Sequence, residues 1–245
     1  MKRLLGLGIA ALALATAGCD KKDAAAPDTK VAAPAVPAPG GGDWTEQVVA
    51  TPEGGFLMGN PNAPVKLLEY ASLTCPHCRD FTANAADPLK AKYVKTGQVA
   101  WEFRNFALNP LDVAATLLAR CQGPGPFFKL TEQTYAEQEK WIGQFSATGK
   151  PDMDRMAALP PDKQFAALAK AAGLDQFFRA RGLPEAKIDA CLSDKAGLDA
   201  ILALRDRGTK EDKVTGTPSF LINGKLQEGV YDWVGLEAKL REALS

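Results

Sequence analysis

Two thiols separated by two residues, Cys75 and Cys78, bracket Pro76 and the single histidine of the chain, His77. At the start of a helix this spacing lets the sulfurs close a small disulfide ring without unwinding the helix. The first sulfur faces unpaired N–H groups and the positive end of the helix dipole, which favour its thiolate. Cys75 is therefore expected to be the exposed nucleophile and Cys78, one turn deeper, the resolving thiol. A stabilised thiolate leaves easily, so the disulfide it forms is oxidising toward other thiols. His77 adds a donor beside the same sulfur. The chemistry this points to is dithiol–disulfide exchange.

Other uses of the pair fit less well. Structural zinc needs four ligands, and no second CxxC or histidine pair exists to complete them. Covalent haem attachment needs a histidine directly after the second cysteine, where Arg79 stands. A purely structural disulfide across so short a ring gains little loop entropy. Composition narrows the field further. Lys plus Arg and Asp plus Glu each number 29, so no basic field exists to hold nucleic acid. Hydrophobic residues at 46% and charged ones at 24% are ordinary globular values.

The elements that must position the thiols follow from periodicity. Residues 65–72 are short, mostly apolar and bounded by turn residues, as in a buried strand. A helix is expected from Cys75 toward Val94, kinked at Pro88. Residues 98–106 are rich in β-branched and aromatic side chains and read as the next strand. A helix over 112–121 takes Asp112 as its N-cap, and others are expected near 127–140, 161–172, 184–192 and 194–212. Residues 219–222, Asn223-Gly224 and 225–227 form a hairpin signal, and 232–244 close the chain as an amphipathic helix. All strands thus fall in 48–110 and 214–245, while 111–213 read as helical. An α/β core interrupted once by a helical domain is the economical architecture.

The N-terminus carries targeting information. Lys2 and Arg3 precede an uncharged run from Leu4 to Gly18, shorter than the about 20 residues of a membrane span. Residues 1–18 read as a signal peptide. Ala15-Thr16-Ala17 fits ordinary signal peptidase, whereas Thr16-Ala17-Gly18-Cys19 resembles a lipobox with Cys19 as the lipidated residue. Residues 19–44, rich in Ala, Pro and Gly, read as a disordered linker or tether. Export favours pairing of Cys121 with Cys191, two inert buried thiols being the alternative.

Residues 69–78 (Glu-Tyr-Ala-Ser-Leu-Thr-Cys-Pro-His-Cys), residues 216–220 (Gly-Thr-Pro-Ser-Phe) and residues 59–65 together resemble the DsbA-like thiol:disulfide oxidoreductases of bacterial envelopes. The resemblance spans about 45–245. It implies a thioredoxin fold formed by 45–110 and 214–245, with 111–213 as the inserted helical domain. It also implies that Pro218 is a cis-proline beside the CxxC, with the Thr217 backbone pairing to an extended client. Glu69 occupies the place of a buried acid that relays the Cys78 proton. The family's buried lysine has no match on the strand of Trp101, Glu102 and Arg104. Thr217 stands where the best-known oxidases carry Val, and is common in isomerase-type relatives. The activity implied is a periplasmic dithiol oxidase without cofactor or bound metal. It would be monomeric, with reduced proteins as clients and a DsbB-like membrane quinone reductase for reoxidation. A lipidated Cys19 would anchor it to the inner membrane. A reductase or isomerase of the same fold, a copper-handling relative, and a lipoprotein whose helical domain mainly binds a partner are the alternatives.

Overall fold

The computed structural model describes residues 34–245. The expected signal segment, with Ala15-Thr16-Ala17, and the lipidation residue Cys19 lie outside the described residues. The sheet is built on two buried runs. β3 (Val65–Ala71) and β4 (Val99–Asn105) pair in parallel, Val65 opposite Val99 and Ala71 opposite Asn105. Parallel neighbours need a crossover, and α1 (Pro76–Leu89) supplies it. β5 (Ser219–Ile222) lies antiparallel on the other side of β3 and turns back into β6 (Lys225–Leu226). Asn223 and Gly224, at φ 50° and 79°, supply the two left-handed residues that a two-residue hairpin turn requires. β2 (Phe56–Met58) and β1 (Val48–Ala50) extend the sheet beyond β4, giving the order β1-β2-β4-β3-β5-β6.

Alternation along β3 sends Val65, Leu67, Glu69 and Ala71 to one face, in register with Val99, Trp101 and Phe103. That face joins the main core with Phe81 and Leu89 of α1, Phe127 and Phe128 of α3 (Pro124–Ala136), and Leu236 and Leu240 of α10 (Trp233–Leu244). On the other face Tyr70 packs with Phe106, Val214 and Leu221. There α9 (Lys195–Lys210) approaches closely at Gly208, where a Cβ would sit 3.0 Å from the Tyr70 ring. Both faces of the central strands are covered, and of the residues of β3 and β4 only Lys66 is exposed. This is a thioredoxin fold. Between β4 and β5 the described chain contributes helices only: α2 (Pro110–Arg120), α3, α4 (Gln138–Ser146), α5 (Lys150–Ala157), α6 (Pro161–Ala171), α7 (Leu174–Arg179), α8 (Glu185–Leu192) and α9.

Several local expectations shift. Asp112 is not the N-cap of α2; Asn109 is, its side chain accepting from the Asp112 N–H at 2.9 Å. Pro110 decides this, because its fixed φ and missing N–H suit the first helical position. Pro88 sits inside α1, and the chain continues from it into a wider π turn over Lys90–Val94. The single helix expected near 127–140 breaks at Glu137 into α3 and α4. β1, β2, α5 and α7 had no forecast; each is too short to show a period. The end of the expected linker is docked from Val36 onward. The Val36 N–H donates to the Thr96 carbonyl at 2.8 Å, and the buried Trp44 indole donates to the Val36 carbonyl at 2.7 Å.

Cys121, following α2, is bonded to Cys191 of α8, with Cα atoms 5.8 Å apart and a sequence separation of 70. Closing a loop of that length restricts the unfolded chain by about 4 kcal/mol on the chain-entropy argument. The double variant Cys121→Ala, Cys191→Ala should lose a sizeable part of this, read as a lower urea midpoint, with a steeper slope as the unfolded chain expands. A midpoint equal to that of the parent would show that the bridge constrains nothing.

Candidate active site

Cys75 is the N-cap of α1, in extended backbone conformation (φ −81°, ψ 122°), and Pro76 occupies the first helical position, where no N–H is wasted. The two sulfurs are free thiols. The expectation of an exposed Cys75 needs correction: it is 6% exposed and Cys78 fully buried, whereas Pro76 and His77 face solvent. The cause is the loop before β5, 142 residues away in sequence. Its Thr217 carbonyl lies 3.3 Å from Cys75 Sγ and accepts the proton of the sulfur's thiol form. Cys75 remains the more accessible sulfur, at the edge of an apolar cleft of about 550 Å³ shared with Leu108, Ile142, Phe145 and Met153.

The two thiols differ sharply in acidity. The Cys78 thiol, donating to Cys75, is the main influence that brings Cys75 down to about 5, against the opposing effect of burial. The Thr217 hydroxyl and the N–H groups of Cys78 and His77 act in the same direction as the Cys78 thiol. Burial pushes Cys78 well above the ordinary thiol range, and the neighbouring Cys75 sulfur pushes it further. One sulfur is thus a stable thiolate at neutral pH and the other holds its proton. Absorbance of the thiolate near 240 nm in the reduced protein should show a midpoint near 5, well below an ordinary thiol. A single transition above 8 would contradict this geometry.

Thr217-Pro218 is a cis peptide bond. Pro218 is buried, and Ser219 ties the loop by donating from its hydroxyl to the Gly216 carbonyl at 2.7 Å. The Thr217 hydroxyl is buried and makes no hydrogen bond of normal geometry, yet it lies close enough to both sulfurs to favour their charged forms. His77 borders a second cleft of about 670 Å³ with Lys213, Gly216, Thr217, Pro218 and Tyr231. The CxxC therefore stands between a cleft rich in backbone and polar groups and an apolar one.

Glu69 is fully buried on β3. Burial raises its pKa to about 8, partly offset by the Trp101 indole N–H, which donates to it at 2.9 Å. Its second oxygen has no partner among the described residues. The neighbour supplied by β4 is thus an indole rather than a lysine.

Three further residues hold the turn before the thiols, and sequence reasoning missed their part in the site. Asp112 of α2 is fully buried and accepts from the Ser72 hydroxyl at 2.5 Å, the Leu73 N–H at 3.0 Å and the Leu108 N–H at 2.9 Å. Burial raises its pKa to about 6, those hydrogen bonds acting the other way. Tyr135 of α3 donates to the Ser72 carbonyl at 3.0 Å. Its own pKa is raised by burial first, and then by the charges of Cys78, Glu69, Asp112 and Cys75. Its hydroxyl therefore lies within electrostatic reach of every acid of the site. Gln138, the first residue of α4, donates to the carbonyls of Leu73 at 2.8 Å and Cys75 at 3.0 Å. The available signal was weak: polar residues at otherwise apolar helix positions.

A family model described as thioredoxin matches residues 51–241. A Rickettsia bellii protein, provisionally named a protein-disulfide oxidoreductase, is 27% identical over 198 residues, which are 78% of this chain and 65% of that one. The chain spans about half to two thirds of the length of the curated relatives it matches. The crystal structure of a protein-disulfide isomerase from Novosphingobium aromaticivorans superposes with a TM-score of 0.74 at 33% identity, covering 77% of this chain and 96% of that one. Wolbachia pipientis alpha-DsbA1 shares the fold, with a TM-score of 0.64 at 22% identity over 80% of this chain and 93% of its own. A match over most of the chain and the superposition on the Novosphingobium structure agree with the thioredoxin fold described above. The chain belongs to the thioredoxin family.

Proposed function

We propose that the protein is a dithiol oxidase of the bacterial envelope, which introduces disulfides into exported proteins through Cys75 and Cys78. The observation that carries this reading is the opposed acidity of the two sulfurs, Cys75 low and Cys78 high. A client thiolate attacks Cys75 Sγ of the oxidised pair. The Cys75–Cys78 bond breaks, Cys78 leaves with the electron pair and takes up a proton, and a mixed disulfide remains at Cys75. The client's second thiolate then attacks its own mixed-disulfide sulfur and expels Cys75 as a thiolate. The client has lost two electrons, and the enzyme holds one thiolate and one thiol. Because the Cys75 thiolate is stable, its departure is favoured and the disulfide is oxidising.

In this reading Glu69 relays the proton of Cys78, its raised pKa suiting it to hold a proton near neutral pH. Thr217 and Pro218 present backbone to an extended client, and Pro76 and His77 shape and polarise the thiol turn. Residues 45–110 and 214–245 act as the thioredoxin-like domain and 111–213 as the helical insertion. The place of work is the periplasm. Residues 1–18 are removed and a lipidated Cys19 tethers the enzyme to the inner membrane, near a DsbB-like quinone reductase that accepts the two electrons.

An isomerase kept reduced is the second reading. Thr217 favours it, as does the similarity to a structure named as a protein-disulfide isomerase. Thiol trapping of Cys75 and Cys78 in growing cells separates the two. An oxidase is recovered mainly as the disulfide; recovery mainly as the dithiol would overturn the oxidase reading in favour of the isomerase.

A further inference from the structure

The residues that could tune the Cys75 sulfur are not confined to the thiol helix and the Thr217 loop. We propose that Gln138 is a positioning residue of the redox site: from the corner between α3 and α4 its amide holds the turn from Leu73 to Cys75, and so keeps the Cys75 sulfur over the start of α1 and against Thr217. The inference rests on the redox reading of the site given above.

Gln138 is 2% exposed, and its nitrogen spends both hydrogens on the turn, at 2.8 Å to the Leu73 carbonyl and 3.0 Å to that of Cys75. Because both targets are carbonyl oxygens, only the nitrogen of the amide can face them. A carboxylate there would oppose lone pairs to lone pairs. An apolar side chain would strip both carbonyls of this donor in a water-poor site. Gln138 also sits on a braced corner. Arg181 reaches Glu137 at 2.7 Å and Gln133 at 2.9 Å while lying over the Phe177 ring at 3.4 Å. The Trp141 indole donates to the Thr134 carbonyl at 3.0 Å. The amide is thus placed by the packing of several helices, as a supporting group of a precise site needs to be.

The consequence for the sulfur is geometric. The Cys75 carbonyl belongs to the peptide that enters α1, so its direction sets how the His77 and Cys78 N–H groups and the Cys78 thiol meet Cys75 Sγ. Hydrogen bonds weaken steeply as they bend. The Arg79 N–H also reaches the Cys75 carbonyl, at 3.2 Å, so loss of Gln138 removes one of its two donors; the peptide can then tilt, and the donors to the thiolate bend with it.

The test uses the purified full chain with Gln138→Met and Gln138→Glu. The second keeps the side-chain shape should the first fail to fold. Ile201→Val, fully buried in α9 and away from the turn, serves as a control that weakens the fold alone. Two quantities are read: the pH midpoint of the Cys75 thiolate and the exchange equilibrium with glutathione. Both Gln138 variants should raise the midpoint by about one unit and make the disulfide about tenfold less oxidising. Ile201→Val should lower the melting temperature and move neither. If the parent shows the low midpoint and both Gln138 variants keep it, losing only thermal stability, the positioning role is overturned while the redox reading stands. If the parent thiol titrates as an ordinary thiol and does not exchange with glutathione, the redox reading fails and the inference with it.

Discussion

Cys75→Ser should bring the oxidation of a reduced dithiol peptide down to its uncatalysed rate, whereas Cys78→Ser, offered a disulfide-bonded client, should accumulate mixed disulfides with it. The two outcomes differ because the two sulfurs do different work. In the proposed mechanism Cys75, at the edge of the apolar cleft and with its acidity brought to about 5 by Cys78, is the sulfur that a client reaches and later leaves. A serine hydroxyl there forms no disulfide, so no intermediate exists. Cys78 is fully buried and holds its proton. With Cys78 replaced, Cys75 still exchanges onto a client disulfide, but no internal thiol releases it. Gels without reductant and intact-mass measurement read both results. Retained turnover in Cys75→Ser, or activity that depends on added copper or zinc, would refute this assignment.

Glu69→Gln is expected to slow formation of the mixed disulfide by tenfold or more while stabilising the fold at neutral and higher pH. Gln keeps an oxygen for the Trp101 indole but carries no transferable proton, and a positioned acid commonly contributes on the order of 100-fold or more. The stability effect has a definite sign. Burial raises Glu69 from 4.5 to about 8. Its contribution is fully present below about 4.5 and is lost as pH rises toward 8, at about 1.4 kcal/mol for each unit of displacement. Removing the ionisable group should therefore flatten the fall in stability across that range. Asp112, raised to about 6, adds a fall of the same sign over a shorter pH range. The measurement belongs on the oxidised protein, where neither Cys75 nor Cys78 titrates. Parallel pH curves for the parent and Glu69→Gln would show that folding leaves the Glu69 pKa at its ordinary value.

Most of the thiol helix was legible in the sequence because its determinants are local. Cys75 before Pro76 marks a helix start, and the dipole and free N–H groups of that start act on whichever sulfur sits there. Asn223-Gly224 forces a hairpin through its own left-handed preference. The short, mostly apolar stretch of β3 and the β-branched and aromatic residues of β4 announce strands, and the confinement of the expected strands to two stretches of chain foretold helices between them.

Only the tertiary structure decided what meets the sulfur. The Thr217 carbonyl lies against Cys75 from 142 positions away, and it is this contact that covers a thiol expected to be exposed. The turn from Ser72 to Cys75 is held by Asp112, Tyr135 and Gln138, which come from three helices between β4 and β5. None is marked by spacing relative to the CxxC. Asp112 even fits a capping role, which Asn109 takes because Pro110 sets the helix start one turn earlier. Helix starts, turns and strand alternation are decided by energies acting over a few residues, so a short window of sequence displays them. Which side chain reaches which carbonyl across the fold depends on how whole helices pack, and no short window contains that.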